Sequence, residues 1–99
     1  MATLHIEHGI SDFALWKEMF DRDPVDRVGG GVRAHRLQRP VDDEHRIVID
    51  LDFDDVEAAQ AFHERLKGLW TGGTAAPALA GRPQVTITET VEELTYPAG

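Results

Sequence analysis

His5 and Asp50 are the residues of this sequence whose types and placement best fit proton-transfer chemistry. A histidine titrates near neutral pH, and a carboxylate beside it can orient the ring and stabilise its charged form. Such a pair can remove a proton from a phenol or an enolisable ketone, the step that starts an aldol-type cyclisation or prepares a substrate to meet oxygen. The alternative is that both are polar residues lining a subunit interface.

The acidic series Asp50, Asp52 and Asp54 has the spacing with which a calcium-binding loop begins. Such a loop requires a glycine at its sixth position and a glutamate at its twelfth, and these positions hold Asp55 and Ala61. Both requirements fail. The alternation of apolar and polar residues through this segment instead indicates a strand that leads into a helix.

Other histidines and one arginine are weaker candidates. His35 and Arg36 share a predicted strand, so whichever faces a cavity could bind an anionic oxygen, although ion pairing with the abundant acids is the alternative. His8 and His45 lie at strand ends and would bind a metal only with partners that the sequence does not identify. His63 is expected to face solvent on a helix. We therefore predict no metal site.

Composition limits the classes of protein to which the chain can belong. Its 99 residues, 41% of them hydrophobic, fit one domain over residues 1–99. No cysteine is present, which excludes disulfides and thiolate chemistry. Eighteen acidic residues against ten Lys and Arg give a charge of -8, which argues against a nucleic-acid partner. No apolar run approaches the roughly 20 residues of a membrane helix, so we expect a soluble cytoplasmic protein.

The residues above must be positioned by six predicted elements. Period-2 alternation predicts strands, and apolar residues three and four apart predict helices. The elements are a strand Thr3 to His8, a helix of about Asp12 to Arg22, strands Val32 to Arg39 and His45 to Phe53, a helix of about Asp55 to Leu69, and a strand Gln84 to Val91. The facing of the second strand stays open because its alternation is mixed.

The ends of the helices and the connections carry their own signals. Ser11 is the predicted N-cap of the first helix, and Asp54 with Glu57 forms a capping-box-like pair before the second. The stretch DPVDRVGGG lacks the spacing of a phosphate-binding loop, so we expect a flexible connection. Thr71 to Pro83 is long enough to act as a lid, and residues 91–99 are expected to form a loosely held tail.

This order of elements predicts an α+β, ferredoxin-like βαββαβ domain, in which two helices cover one face of a four-stranded antiparallel sheet. Leu4, Ile6, Ile47, Ile49, Leu51, Val85 and Ile87 are expected to face the helices. Thr3, His5, Glu7, Val48, Asp50, Thr86 and Thr88 are expected on the open face. The open face is too polar for a dry core, and it would suit a water-containing cavity between two sheets.

The strand LHIEH, the helix FALWKEMF, the passage DDEHRIVIDLDFDD and the helix EAAQAFHERL resemble the layout of the dimeric α/β-barrel superfamily. That group includes cofactor-independent antibiotic-biosynthesis monooxygenases, polyketide cyclases and haem-degrading enzymes. The resemblance covers nearly the whole chain and is one of layout, not of a catalytic motif. It implies a homodimer whose open sheet faces form a barrel, with small molecules bound between sheet and helices or inside the barrel.

The resemblance also implies a function. It points to a small-molecule-binding protein that acts as a cofactor-independent monooxygenase or cyclase on an aromatic or polyketide-like metabolite. Quinone-forming and haem-degrading members tend to use an Asn with a Trp near the end of the second helix; Trp70 matches that place, and this chain has no Asn. We expect Trp70, Trp16, Phe62, His35 and Arg36 to contact the ligand. A non-catalytic dimerisation or ligand-sensing module is the alternative.

Overall fold

A computed structural model describes residues 1–71 and 79–98, with side chains described at 1–71 and 83–98. The elements are β1 (Ala2–Ile10), α1 (Phe13–Asp21), β2 (Ala34–Gln38), β3 (Arg46–Phe53), α2 (Val56–Thr71) and β4 (Leu79–Glu89). The four strands pair antiparallel in the order β2-β3-β1-β4. The predicted α+β class and ferredoxin-like arrangement are therefore confirmed.

Alternation along the two central strands divides the sheet into an apolar and a polar face. In both β1 and β3 every second residue is buried and the residues between are half-buried. The β1 residues Leu4 and Ile6 are at most 2% exposed, and Phe53 of β3 is fully buried. Because successive strand side chains point to opposite faces, the sequence fixes which face meets the helices.

Both helices pack on that apolar face. Trp16 is the buried residue of α1, and Ala59, Phe62 and Leu66 are those of α2. The three α2 residues are spaced three and four apart, which places them along one side of that helix. Val85 of β4 packs at the margin of the same core. The predicted division of residues between the two faces is confirmed.

Both predicted helix caps are displaced by one residue. Asp12, not Ser11, is the N-cap of α1, and its carboxylate accepts a hydrogen bond from the backbone N–H of Leu15. At α2 the carboxylate of Asp55 accepts from the N–H of Ala58 at 2.8 Å. Asp54, the predicted cap, instead forms an ion pair with a guanidinium from the segment before β2.

The guanidinium that binds Asp54 belongs to Arg33, and its Nη2 lies 2.8 Å from the carboxylate. Arg33 precedes β2, so this contact between residues 21 positions apart depends on the tertiary fold. A scan for local capping motifs cannot detect it. The capping box predicted from Asp54 and Glu57 is therefore wrong, while the neighbouring aspartate supplies the same type of cap.

Strand ends also differ from the sequence expectation. β2 is shorter than predicted at both ends, and His45 precedes β3 instead of beginning it. β4 begins at Leu79, so the second part of the predicted lid is strand; residues 72–78 lie outside the described residues. The register passes from Glu7 opposite Gln84 to Gly9 opposite Ala80, a bulge-like irregularity in which β4 carries two more residues than β1.

The connection between α1 and β2 consists of consecutive turns. Asp23 and Asp26 adopt positive φ angles of 53° and 52°, a conformation that aspartate tolerates better than most residues. The N–H of Gly30 donates to the carbonyl of Asp26 at 2.9 Å. A Cβ at Gly30 would lie 2.5 Å from the ring of Phe62, so only glycine lets this loop approach α2 so closely.

No helix within residues 1–71 or 79–98 combines the length and apolar character needed to cross a bilayer.

Candidate functional site

A cavity lies between the helix-covered face of the sheet and the two helices. Ile6, Ile49 and Leu51 supply its floor from β1 and β3, and side chains of α1, α2 and the loop after α1 supply its walls. Its volume is about 80 Å³, several times the ~10–15 Å³ that one water molecule requires on this measure. Apolar walls with a few polar groups are the usual character of a small-molecule site, and this cavity is small beside the roughly 300–1,000 Å³ of drug-sized pockets.

Aromatic rings form much of the cavity wall. Trp16 and Phe20 of α1 stack with their ring centroids 5.1 Å apart, and Phe62 and Trp70 line the cavity from α2. These positions follow from the helix period, because Trp16 and Phe20 are four residues apart on one side of α1. Flat, polarisable walls of this type favour an aromatic or otherwise flat ligand.

His8 is the buried titratable group of the cavity. It is 3% exposed, and its ring centroid lies 6.0 Å from that of Trp16. Its Nδ1 lies 2.9 Å from the carbonyl of Gly9. Because a carbonyl can only accept, Nδ1 carries the proton, and in the neutral ring Nε2 is the free base. Burial lowers the pKa of His8, and the charge of Arg46 lowers it further, while the bond to Gly9 partly opposes both effects.

The position of His8 follows from strand parity and from the bulge. It occupies an even position of β1, as Leu4 and Ile6 do, and therefore points to the helix-covered face. It also lies between Glu7 and Gly9, where the pairing with β4 shifts register. Within residues 1–71 and 83–98, no group of three metal-ligating side chains accompanies it.

Arg27 adds a cationic group to the cavity lining. Its Nη1 donates to the carbonyl of Phe20 at 2.8 Å, and its guanidinium carbon lies 3.9 Å from the centroid of the Phe20 ring. Asp23 lies nearby, with 3.5 Å between its carboxylate and Nη1. The side chain is 18% exposed, so a largely desolvated cation borders an otherwise apolar space.

His5 and Asp50 meet on the opposite, open face of the sheet. They are direct partners in the register of β1 and β3, and Nδ1 of His5 lies 2.6 Å from Oδ1 of Asp50. The prediction that these two residues would be neighbours on the open face is therefore confirmed. Neither residue lines the cavity beneath the helices.

The pair belongs to a wider polar network on the open face. Arg36 forms two hydrogen bonds with Asp52, at 2.9 and 3.2 Å, and approaches Asp50 at 3.8 Å. Thr3 donates to Asp52 at 2.8 Å. Hydrogen bonding from Arg36, and secondarily from Thr3, lowers the pKa of Asp52 despite its partial burial. The Asp52 carboxylate is thus held in its charged form.

The residues expected to contact a ligand are divided between the two faces. Trp16, Phe62 and Trp70 line the cavity together. Arg36 lies on the open face, and His35 lies on the helix side of β2, where its ring meets that of Phe20 at 5.2 Å. The five residues therefore do not form one site.

Two polar cavity residues, His8 and Arg27, are absent from the ligand contacts that the sequence predicts. His8 lies at a strand end, although its even position beside Leu4 and Ile6 indicates the buried face. Arg27 lies in the segment interpreted only as a connection. No periodic signal marks it, because the turns that bring it to Phe20 have no regular repeat. His63, expected at the surface, is half-buried with its ring 6.3 Å from that of Trp70.

No protein-family profile and no curated protein matches this sequence. Solved structures do match. SnoaB, a cofactor-independent oxygenase from Streptomyces nogalater, is 14% identical, with a TM-score of 0.74 over 96% of this chain and 97% of that one. A "putative antibiotic biosynthesis monooxygenase" from Nitrosomonas europaea is 17% identical, with a TM-score of 0.70 over 93% and 100%. The chain shares their fold.

A dimeric ferredoxin-like protein from an uncultured marine organism also matches, with 13% identity and a TM-score of 0.71 over 97% and 100% of the two chains. The resemblance of layout noted in the sequence is thus confirmed for the ferredoxin-like fold. At such identities the likeness establishes the fold alone.

Proposed function

We propose that the protein binds a small aromatic metabolite in the cavity between its sheet and helices and converts it by a reaction that begins with proton removal. The observation that carries this proposal is the buried, neutral His8 in an aromatic-walled cavity. A neutral imidazole with a free Nε2 can act as a general base, and its lowered pKa keeps it in that form at neutral pH.

The proposed reaction is cofactor-independent oxygenation of a hydroxylated aromatic or polyketide-like compound. His8 accepts a proton from the substrate, and the resulting carbanion or phenolate reduces molecular oxygen and combines with it as a peroxide anion, which takes the proton back from His8. Loss of water from the peroxide leaves a carbonyl, so that a CH₂ group and O₂ become C=O and H₂O. Aldol cyclisation would start from the same deprotonated substrate, and it is the second reaction that this base could serve.

The fold of a cofactor-independent oxygenase supports the oxygenase form of the proposal. The chain has no Asn, so the Asn and Trp arrangement expected from the resemblance is incomplete here. Trp70 would serve as a wall of the cavity, where it lies beside Leu69 and Leu66. In this proposal His8 is the base, and the reaction requires no asparagine.

His5 and Asp50 stay a second proposed acid/base pair. They would act in the space between two sheets, if a second copy of the chain covers the open face. Their 2.6 Å contact orients the imidazole, but the pair is partly exposed in one chain. A catalytic role for this pair therefore requires the homodimer, whereas His8 is enclosed within a single chain.

The test starts with a thermal-shift screen of hydroxylated polycyclic aromatics and enolisable ketones. A ligand at one hundred times its Kd stabilises a protein by roughly 2.7 kcal/mol. For each hit we would measure oxygen uptake with the wild-type protein and with His8→Gln, His5→Gln and the exposed control His45→Gln. Loss of uptake in His8→Gln, by at least about a hundredfold, is expected.

Loss of oxygen uptake in His5→Gln alone would move the reaction to the open face. Binding without any oxygen uptake or cyclisation would support the alternative, a ligand-sensing or dimerisation module. The compensated charges of the open face are the observation that favours this alternative, because paired charges can line an interface without a catalytic role. A cytoplasmic location stays a prediction from the sequence.

A further inference from the structure

The charge of the cavity has the opposite sign to that of the chain. The protein has 18 acidic residues and a net charge of -8. Among the described residues that line the cavity, none is Asp or Glu, and Arg27 is the charged one. A single cation in an apolar space attracts an anion more strongly than a cation in water does, because the surroundings screen its field less.

The guanidinium of Arg27 is fixed in place before any ligand arrives. Its Nη1 donates to the carbonyl of Phe20 at 2.8 Å, and its guanidinium carbon lies over the Phe20 ring, 3.9 Å from the ring centroid. A guanidinium has five N–H donors in a planar fork, a geometry that matches a carboxylate. The bond to Phe20 uses one of these donors.

Asp23 competes for the same guanidinium, but weakly. Its Oδ1 lies 3.5 Å from Nη1 of Arg27, beyond the usual length of a charge-assisted hydrogen bond. The same oxygen accepts the backbone N–H of Arg27 at 2.9 Å, which shows that the loop geometry positions this carboxylate. Asp23 is 32% exposed and so remains partly hydrated.

We propose that Arg27 makes the cavity selective for aromatic compounds that carry a carboxylate. The ring would lie along Trp16 and Phe20, whose stacked rings lead to the guanidinium. The carboxylate would bind Arg27, and the group that loses its proton would face His8. This inference rests on the proposed function for the location of the site, and it adds the class of ligand.

The test compares 2-naphthoate with 2-naphthamide, which share shape and aromatic surface but differ in charge. Calorimetric titration at pH 7.5 would give the affinity of each probe for the wild-type protein, Arg27→Gln and Arg22→Gln. Arg22 is the control, because it is exposed at the end of α1 and pairs with Glu18. The wild type and Arg22→Gln are expected to prefer naphthoate by about 10- to 100-fold, and Arg27→Gln to lose that preference.

Asp23→Asn keeps the test decisive even if Arg27→Gln fails to fold. Asparagine retains an oxygen for the N–H of Arg27 and tolerates the positive φ of 53°, while it removes the competing charge. The affinity for naphthoate should rise severalfold, and the affinity for naphthamide should not change.

Each other outcome contradicts the inference in a recognisable way. Equal wild-type affinity for the two probes, or a preference that persists in Arg27→Gln, removes the role of Arg27 and leaves the proposed cavity standing, since naphthamide still reports on it. An unchanged naphthoate affinity in Asp23→Asn has the same meaning. If neither probe binds, the inference and the proposed site both fail.

Discussion

At the scale of single residues, His8 shows how burial and one backbone contact define a chemical state. The carbonyl of Gly9 accepts the proton of Nδ1, and burial opposes a second proton on the ring. The result is a neutral base inside an apolar cavity. His5 instead lies on the open face, partly exposed, where the carboxylate of Asp50 contacts its ring directly. Two histidines three positions apart on one strand therefore have different chemistry.

We expect His8 to make the unfolding free energy depend on pH. Its folded pKa lies below the unfolded value of 6.5, so the ring is neutral in both states above pH 6.5 and no stability is lost there. As the pH falls below 6.5, the unfolded chain binds the proton first. Stability should therefore decrease, by at most about 1.4 kcal/mol per pH unit, until the pH is below the folded pKa.

Urea unfolding between pH 5.5 and 7.5 would test this expectation, with His8→Gln beside the wild type. The variant should show a flatter dependence on pH. His63 has a pKa that burial lowers in the same direction, so His63→Gln serves as the comparison for its share. Identical pH profiles for wild type and His8→Gln would contradict the burial argument.

At the scale of elements, the start of a helix is stabilised by the polar side chain that reaches its unpaired backbone amides. Asp55 caps α2, whereas the preceding Asp54 binds Arg33 on the surface. We expect Asp55→Ala to reduce the unfolding free energy by about 1 kcal/mol. Asp54→Ala should change it little, because both partners of its ion pair are exposed. Chemical denaturation of the two variants would compare them, and a larger loss in Asp54→Ala would reverse the assignment.

Gly30, in the loop between α1 and β2, and Gly68, in α2, allow a second comparison of two substitutions. A Cβ at Gly30 would collide with Phe62, which is 1% exposed, so Gly30→Ala should destabilise the protein by about 1–3 kcal/mol. Gly68 lies in α2, and among the described residues no atom beyond its chain neighbours and its own helix backbone lies within 4 Å of an added Cβ. Gly68→Ala should therefore stabilise the protein by about 0.5–1 kcal/mol. Thermal unfolding would show both effects, and a neutral Gly30→Ala would mean that the loop can move away from α2.

At the scale of the whole molecule, one sheet face is covered by helices and the other is open. Half-buried Thr3, His5 and Glu7 lie on the open face, and Val91, Leu94 and Tyr96 extend from β4 with more than 60% of their surface exposed. Exposed apolar side chains mark an interface where they form a contiguous patch, whereas single ones are common on any protein surface. The homodimer predicted from the sequence would bring a second copy of the chain over the open face.

Light scattering coupled to gel filtration should then give twice the chain mass of 11.0 kDa. Thr86→Arg would place a bulky charge opposite His5 at the centre of the open face, and it should weaken dimerisation at least about tenfold. Gln60→Arg, an exposed position on α2, is the matched control. A wild-type monomer at micromolar concentration would contradict the dimer, and an intact dimer in Thr86→Arg would move the interface to another surface.

The sequence by itself determined the order of the elements, the faces of the strands other than β2, and the contact between His5 and Asp50. These depend on short repeats: period-2 alternation in β1 and β3 fixes facing, and the order of elements makes these strands central neighbours. Even the inward direction of His8 was present in the parity of its strand. Patterns of this kind can be recognised in the sequence without the tertiary structure.

Only the tertiary structure decided the positions that depend on distant partners. Arg33 binds Asp54, so the cap of α2 moves to Asp55. The turns after α1 bring Arg27 onto Phe20, and the bulge in β4 places a register shift beside His8. Such contacts join segments that are distant in sequence. No sequence period predicts them, because packing sets the conformation of the loops. The cavity and its charge therefore follow from how the elements meet, which no single segment specifies.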